Sequence, residues 1–164
     1  MRAHPERNFY QQLKRNLERP GVHLQRVETT TSFGVPDVNY CIRGAEGWLE
    51  LKAWEVTQRP RDSRFIVPKL RPDQVSWLVR RRRARGRAFL CCRINQDVLL
   101  FDGLVTPYFL HTDSPPTWGD VQTLHSAWLT PPVDWQRLEA VLVAPAATQK
   151  EFDEFLGLNY RPND

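Results

Sequence analysis

Gly34-Val35-Pro36-Asp37, followed thirteen residues after Asp37 by Glu50-Leu51-Lys52, is the part of the chain from which the rest can be read. Pro36 opens an extended run in which Val38, Tyr40 and Ile42 alternate with Asp37, Asn39 and Cys41, the period of a strand with one apolar and one polar face. Residues 44–47 make a turn, and residues 48–56 form the return strand of a hairpin. Along it Leu49, Leu51 and Ala53 point one way, and Trp48, Glu50, Lys52 and Trp54 the other. Asp37, Glu50 and Lys52 are thereby expected on one polar face of adjacent strands.

Two carboxylates on neighbouring strands can reach one cation. A hard ion such as Mg2+ prefers carboxylate, carbonyl and water oxygens and needs few protein ligands. Mn2+ is expected to substitute for it. Such a site acidifies water and polarises a phosphodiester oxygen, while the Lys52 ammonium orients the nucleophile or offsets charge in the transition state. A bare Glu-x-Lys triplet is ordinarily a solvated strand face. Here the Pro-Asp strand, the spacing and the basic surroundings occur together.

Outward from the hairpin, residues 5–18 read as a helix, with Pro5 in its first turn and Phe9, Tyr10, Leu13 and Leu17 at helical spacing. Residues 22–28 read as a strand and 29–34 as a polar connection. Residues 57–70 carry Arg59, Arg61, Arg64 and Lys69, the composition of an exposed, mobile basic loop that contacts a polyanion. Pro72 starts a second helix through Gln74 and Leu78, ending in Arg80, Arg81, Arg82 and Arg83, with Gly86 as its stop and Arg85 and Arg87 beside it. Residues 87–94 are a nearly continuous apolar run, expected to be a strand covered on both faces, with 98–101 as its hairpin partner. The sheet is expected to end there. Beyond it, helices are expected near 135–143 and 148–156.

The formal net charge of +4 conceals an asymmetry: residues 1–100 hold 20 Lys+Arg against 10 Asp+Glu, and the remainder holds 3 against 9. A basic region of that size attracts polyanions, nucleic acid first among them. Cys41, Cys91 and Cys92 lack CxxC spacing, and the four histidines lack a metal-binding repeat, which argues against a disulfide framework or a zinc centre. No apolar run is long enough for a membrane span and the N-terminus lacks a secretory core, so a cytoplasmic location is expected.

Pro36-Asp37 with Glu50-Leu51-Lys52 resembles the signature of the PD-(D/E)XK, restriction-endonuclease-like superfamily of nucleases. Gly34-Val-Pro-Asp-Val38, Trp48-Leu-Glu-Leu-Lys-Ala53 and Leu70-Arg-Pro-Asp-Gln-Val-Ser-Trp-Leu78 resemble the phage and archaeal Holliday-junction resolvases and the VRR-NUC group. The resemblance implies an α/β fold, a mixed sheet flanked by helices, with residues 1–103 as nuclease core and 104–164 as a helical C-terminal extension packed on it. It implies a homodimer acting on branched DNA in a cytoplasm, that of a host cell if the chain is phage-encoded. The carbonyl of Leu51 would join Asp37 and Glu50 at the metal, Gln74 would stand near the centre, and Ser32 would approach the phosphate. The family often adds an acidic residue on the first helix. Glu6 is the candidate, since positions 6, 9, 10, 13 and 17 share a stripe, although its place in the first turn also suits the helix dipole; Glu28 competes for the role. The arginines at 80–83 and 85, with those of the 57–70 loop, would bind phosphates, and Trp48 or Trp54 would line the groove. Rival readings are a repair, replication or restriction nuclease acting on flaps, nicks or duplex, and a nucleic-acid-binding protein that does not cut.

Overall fold

The structure, a computed structural model, describes residues 4–146, 150–151 and 153–154. It is an α/β fold: a six-stranded mixed sheet with helices on both faces. In chain order the elements are α1 (Pro5–Leu17), β1 (Val22–Arg26), β2 (Val38–Ile42), β3 (Ala45–Trp54), α2 (Pro72–Arg83), β4 (Arg87–Ile94) and β5 (Asp97–Asp102). A 3-10 helix (Gly103–Leu110) follows, then α3 (Trp118–Leu124), β6 (Ala127–Leu129) and α4 (Trp135–Val143). The strands lie in the sheet in their chain order. All neighbours run antiparallel except β3 and β4, which are parallel because α2 crosses over between them.

Strand alternation assigns the two faces. Leu49, Leu51 and Ala53 of β3 join Leu24, Val38 and Tyr40 beneath Phe9, Leu13 and Leu17 of α1 and Leu138 and Leu142 of α4. On the opposite face, Trp48 and Trp54 pack with Leu78 of α2, Phe65, Phe101, Phe109 and Trp118. β4 contributes Phe89 and Cys91 to the first layer and Ala88, Leu90, Cys92 and Ile94 to the second, which accounts for its unbroken apolar run. Glu50 and Lys52 therefore face the α2 layer.

Several expectations need correction. The hairpin turn is Arg43-Gly44 and β3 begins at Ala45, not at Trp48; both turn residues have positive φ (46° and 85°), as a two-residue turn matching strand twist requires. Gly47 lies inside β3, where a side chain would overlap the Tyr40 ring. Gly86 is not the left-handed stop of α2: Arg85 takes that conformation, at φ 66°. The Arg85 N–H donates to the Arg82 carbonyl and the Gly86 N–H to the Arg81 carbonyl, the paired bonds of a Schellman ending.

The sheet does not end at β5, because Ala127–Leu129 pairs antiparallel with its outer edge. Residues 57–70 are not a free loop either. Phe65 and Val67 are buried, and the Phe65 ring packs against those of Phe101, Phe109 and Trp118, pinning the segment to the second layer. The helix expected at 135–143 is α4; the one expected at 148–156 has its bounds outside the described residues. Among the described residues no helix is long and apolar enough to cross a membrane.

Candidate active site

β2 and β3 pair with Val38 opposite Leu49, so the next step out sets Asp37, just ahead of β2, across from Glu50. The connection is direct: the Leu51 N–H donates to Asp37 Oδ2 at 2.8 Å. Leu51 thus enters the site through its amide, which fixes the Asp37 carboxylate against β3.

Glu50 is 1% exposed. Its Oε1 accepts from Lys52 Nζ at 2.6 Å and from Gln74 Nε2 at 2.5 Å. Its Oε2 is buried with no hydrogen-bond partner among the described residues. An unpaired buried carboxylate oxygen is costly, and burial, reinforced by the charge of Asp37, pushes Glu50 up to about 7 against the pull of Lys52. Burial also raises Asp37, opposed by the Leu51 amide and the charges of Lys52 and Arg26.

Gln74 is held by the helix it sits on. Its Oε1 accepts the Arg71 N–H at 3.0 Å, capping the start of α2, while its Nε2 reaches Glu50. One amide therefore couples the position of α2 to the orientation of the buried carboxylate. Gly34 makes this approach possible: it has φ 79°, and a side chain there would overlap the Asp73 carbonyl.

A cavity of about 440 Å³ opens on this cluster, lined by Asp37, Gln74, Ser32, Glu28, Arg26 and Arg71, with Phe33 at its rim. Sequence reasoning missed Arg26 and Arg71. The signal for Arg71 was its position directly before the Pro72 helix start, three residues from Gln74. Glu6 is half-buried in the first turn of α1 and lines an adjoining cavity with Arg26 and Glu28. The two competing carboxylates divide: Glu28 lines the cavity that contains Asp37, while Glu6 lines the adjoining one and its charge raises Asp37. The Glu28 side chain is 81% exposed and pairs with Arg26 at 3.7 Å.

The basic residues divide. Arg82 is 3% exposed; its Nε stands 2.9 Å from both carboxylate oxygens of Asp102, so it braces α2 against β5 and is not a phosphate ligand. Arg59 is likewise tied inward, at 2.5 Å from Asp97, to the Ile94 carbonyl and over the Trp118 ring. Arg80, Arg81, Arg83 and Arg85 are exposed, as are Arg61, Arg64 and Lys69. From Gln74, residues 80–83 lie roughly 9–14 Å along the helix at 1.5 Å per residue. Arg87 donates to the Val143 and Ala144 carbonyls. Trp48 and Trp54 do not line the groove: they pair with Trp77 and Phe65 in the second layer.

Among the described residues no group of three or more His, Cys, Asp or Glu is arranged so that it could hold a metal ion. What the fold offers is a carboxylate pair, which suits a hard cation that keeps several waters. The orphaned Glu50 Oε2, buried beside a second carboxylate, fits such an ion: a cation is what would compensate the charge the fold buries there.

No family model matches the chain, and no curated protein matches it in sequence. Among solved structures, it is similar to the 1.6 Å structure of Hjc, a Holliday junction resolvase from the archaeal hyperthermophile Archaeoglobus fulgidus. The two share 18% sequence identity and a TM-score of 0.41, over 61% of this chain and 75% of that one.

Proposed function

We propose that the chain is a metal-dependent endonuclease of the PD-(D/E)XK type that hydrolyses phosphodiester bonds in branched DNA, acting as a Holliday-junction resolvase. The observation that carries this reading is the juxtaposition of Asp37 with a buried Glu50 whose second oxygen lacks a partner among the described residues, flanked by Lys52 and Gln74.

Asp37 and Glu50 would hold Mg2+, or Mn2+ in its place, with the Leu51 carbonyl assigned by resemblance. When bound, the ion would polarise a phosphodiester oxygen and acidify water. The protein's own residues do the positioning. The Leu51 amide holds Asp37, and Gln74 holds Glu50 against rotation. Lys52, buried beside Glu50 with its Nζ 2.6 Å from Oε1, would supply an ammonium to orient the nucleophile or offset charge in the transition state. Glu6 adds negative charge that acts on Asp37, and Ser32, which lines the cavity, would approach the phosphate. The exposed arginines at 80, 81, 83 and 85, with Arg61, Arg64 and Lys69, would position the duplex arms through phosphates without reading bases.

Resolution of a four-way junction takes two opposed incisions, so the acting species would be a homodimer with one centre per subunit. The test is a substrate panel in Mg2+: labelled four-way junction, flap, nicked duplex, linear duplex and single strand. Paired symmetrical cuts confined to the junction are expected. Preferential cutting of flaps, nicks or linear duplex would move the assignment to a repair, replication or restriction nuclease with the same centre. Tight binding of every substrate with no cleavage would leave a non-cutting DNA-binding protein.

A further inference from the structure

Two large hydrophobic side chains stand exposed among the described residues, Phe33 at 86% and Ile66 at 62%. An isolated exposed apolar residue is ordinary. Phe33 is distinguished by its place, on the rim of the cavity that holds Asp37 and Gln74. Its backbone is docked there. Thr29 Oγ1 donates to the Ser32 carbonyl at 2.8 Å, closing the connection on itself, and Gly34 is seated against the Asp73 carbonyl at the start of α2. The ring is thus presented at the mouth of the site by a turn whose last residue, Gly34, is seated on the start of the helix carrying Gln74.

Arg71 completes the mouth. It is the residue before α2, its side chain is exposed, and its guanidinium rests on Asp73, with Nε to Oδ1 at 3.1 Å and a second nitrogen to Oδ2 at 3.3 Å. It lines the same cavity, and its positive charge acts on the Glu50 carboxylate. An ion pair this exposed contributes little and is readily exchanged for a phosphate. A nucleotide carries a flat apolar ring and an anionic phosphate; the cavity rim carries an aromatic ring and an exposed guanidinium beside the carboxylates.

A base inside a duplex has both faces covered by its neighbours, whereas one at a branch point can offer a face to an aromatic side chain. Unstacking is cheapest where pairing is already interrupted. We propose that Phe33 and Arg71 form a nucleotide clamp: Phe33 stacks on an unstacked base beside the scissile phosphodiester, and Arg71 takes the adjoining phosphate. This rests on the nuclease reading and names its substrate class, DNA with an unpaired or unstacked nucleotide at the cut. Selectivity for branches then originates at the catalytic cavity.

The test uses a four-way junction with 2-aminopurine at the branch, and a second carrying it mid-arm, bound to Glu50→Gln protein. Fluorescence at the branch is expected to change severalfold on binding, with little change mid-arm. Adding Phe33→Ala should abolish the branch signal and lower the affinity ratio of junction over linear duplex about tenfold, within the range for loss of one base–aromatic stack. Phe33→Trp should retain both. Arg71→Ala should flatten the salt dependence of junction binding by about one phosphate contact. Because Phe33 is exposed, its replacement leaves the core untouched. A branch signal and a junction preference that survive Phe33→Ala overturn the clamp, as does failure to bind DNA. Cleavage by otherwise wild-type protein is scored separately. Cutting without a Phe33-dependent signal removes the clamp and keeps the nuclease, whereas a Phe33-dependent signal without cutting does the reverse.

Discussion

Replacing Glu50 with Gln removes a charge from a position that is 1% exposed, and the consequence for stability depends on pH in a calculable way. In the metal-free protein the carboxyl is raised from 4.5 to about 7 by burial and by Asp37. A carboxyl raised on folding binds its proton more tightly in the native state, so its contribution is full below 4.5 and is lost as pH rises through 7. Linkage over pH 5 to 8 gives a loss of roughly 2.5 kcal/mol, at 1.36 kcal/mol per decade. The amide of the variant cannot titrate, so the stability gap between variant and wild type should move by about that amount in the variant's favour. Urea unfolding in chelator at pH 5 and pH 8 measures it. Saturating Mg2+ should restore the wild type at pH 8 and leave the variant less affected, since a ligand that binds the native state stabilises it. Parallel pH profiles in chelator would mean that Glu50 is not a buried, uncompensated acid in the native protein.

Arg82→Ala should cost about 3 kcal/mol, measured by chemical denaturation, because it leaves Asp102 without its guanidinium partner at the base of α2; the salt dependence of DNA binding should be unaltered. Arg85→Gly should raise stability by roughly 0.5–1 kcal/mol under the same denaturation, since glycine takes the left-handed ending of α2 without the steric cost an L side chain bears. Changing Arg80, Arg81 and Arg83 together to Ser should cost about 1–2 kcal/mol, through lower helix propensity, three fewer cations at the C-terminus of α2 and loss of the Arg81–Trp77 contact, and should reduce the slope of log affinity against log salt by up to about 0.9 for each phosphate no longer neutralised.

The hairpin was legible because strand alternation and the spacing between Asp37 and Glu50 leave few ways to pair them. Gln74 was placed near the centre by the family resemblance alone; its position just after a proline helix start put it on α2 but did not say which way it faces. The run of four arginines misled because it is uniform in composition and not in geometry. Arg82 lies four residues after Leu78, on the buried stripe of α2, and that periodicity was present in the sequence. Arg59 could not be read, since its partner Asp97 is 38 residues away in sequence. The same holds for Glu139, buried on α4 and paired with Arg19 and Arg43 from the far end of the chain. β6 is three residues long, too short for a periodic signal, and forms because β5 offers an edge. Arg71 carried a sequence signal in its place directly before the Pro72 helix start, whereas Phe33 had none, since only the fold brings the 29–34 turn onto the start of α2.

Single-turnover cleavage of a four-way junction, with Mg2+ or with EDTA, by wild-type protein and by Glu50→Gln, tests most directly whether this carboxylate pair is a phosphodiesterase centre. Incision by the wild type in Mg2+ is expected, with none in EDTA and a loss of about a hundredfold to a thousandfold in the variant while junction binding persists, on the scale of removing one transition-state-stabilising group. Incision that proceeds in EDTA, or that survives Glu50→Gln at near wild-type rate, would contradict that assignment.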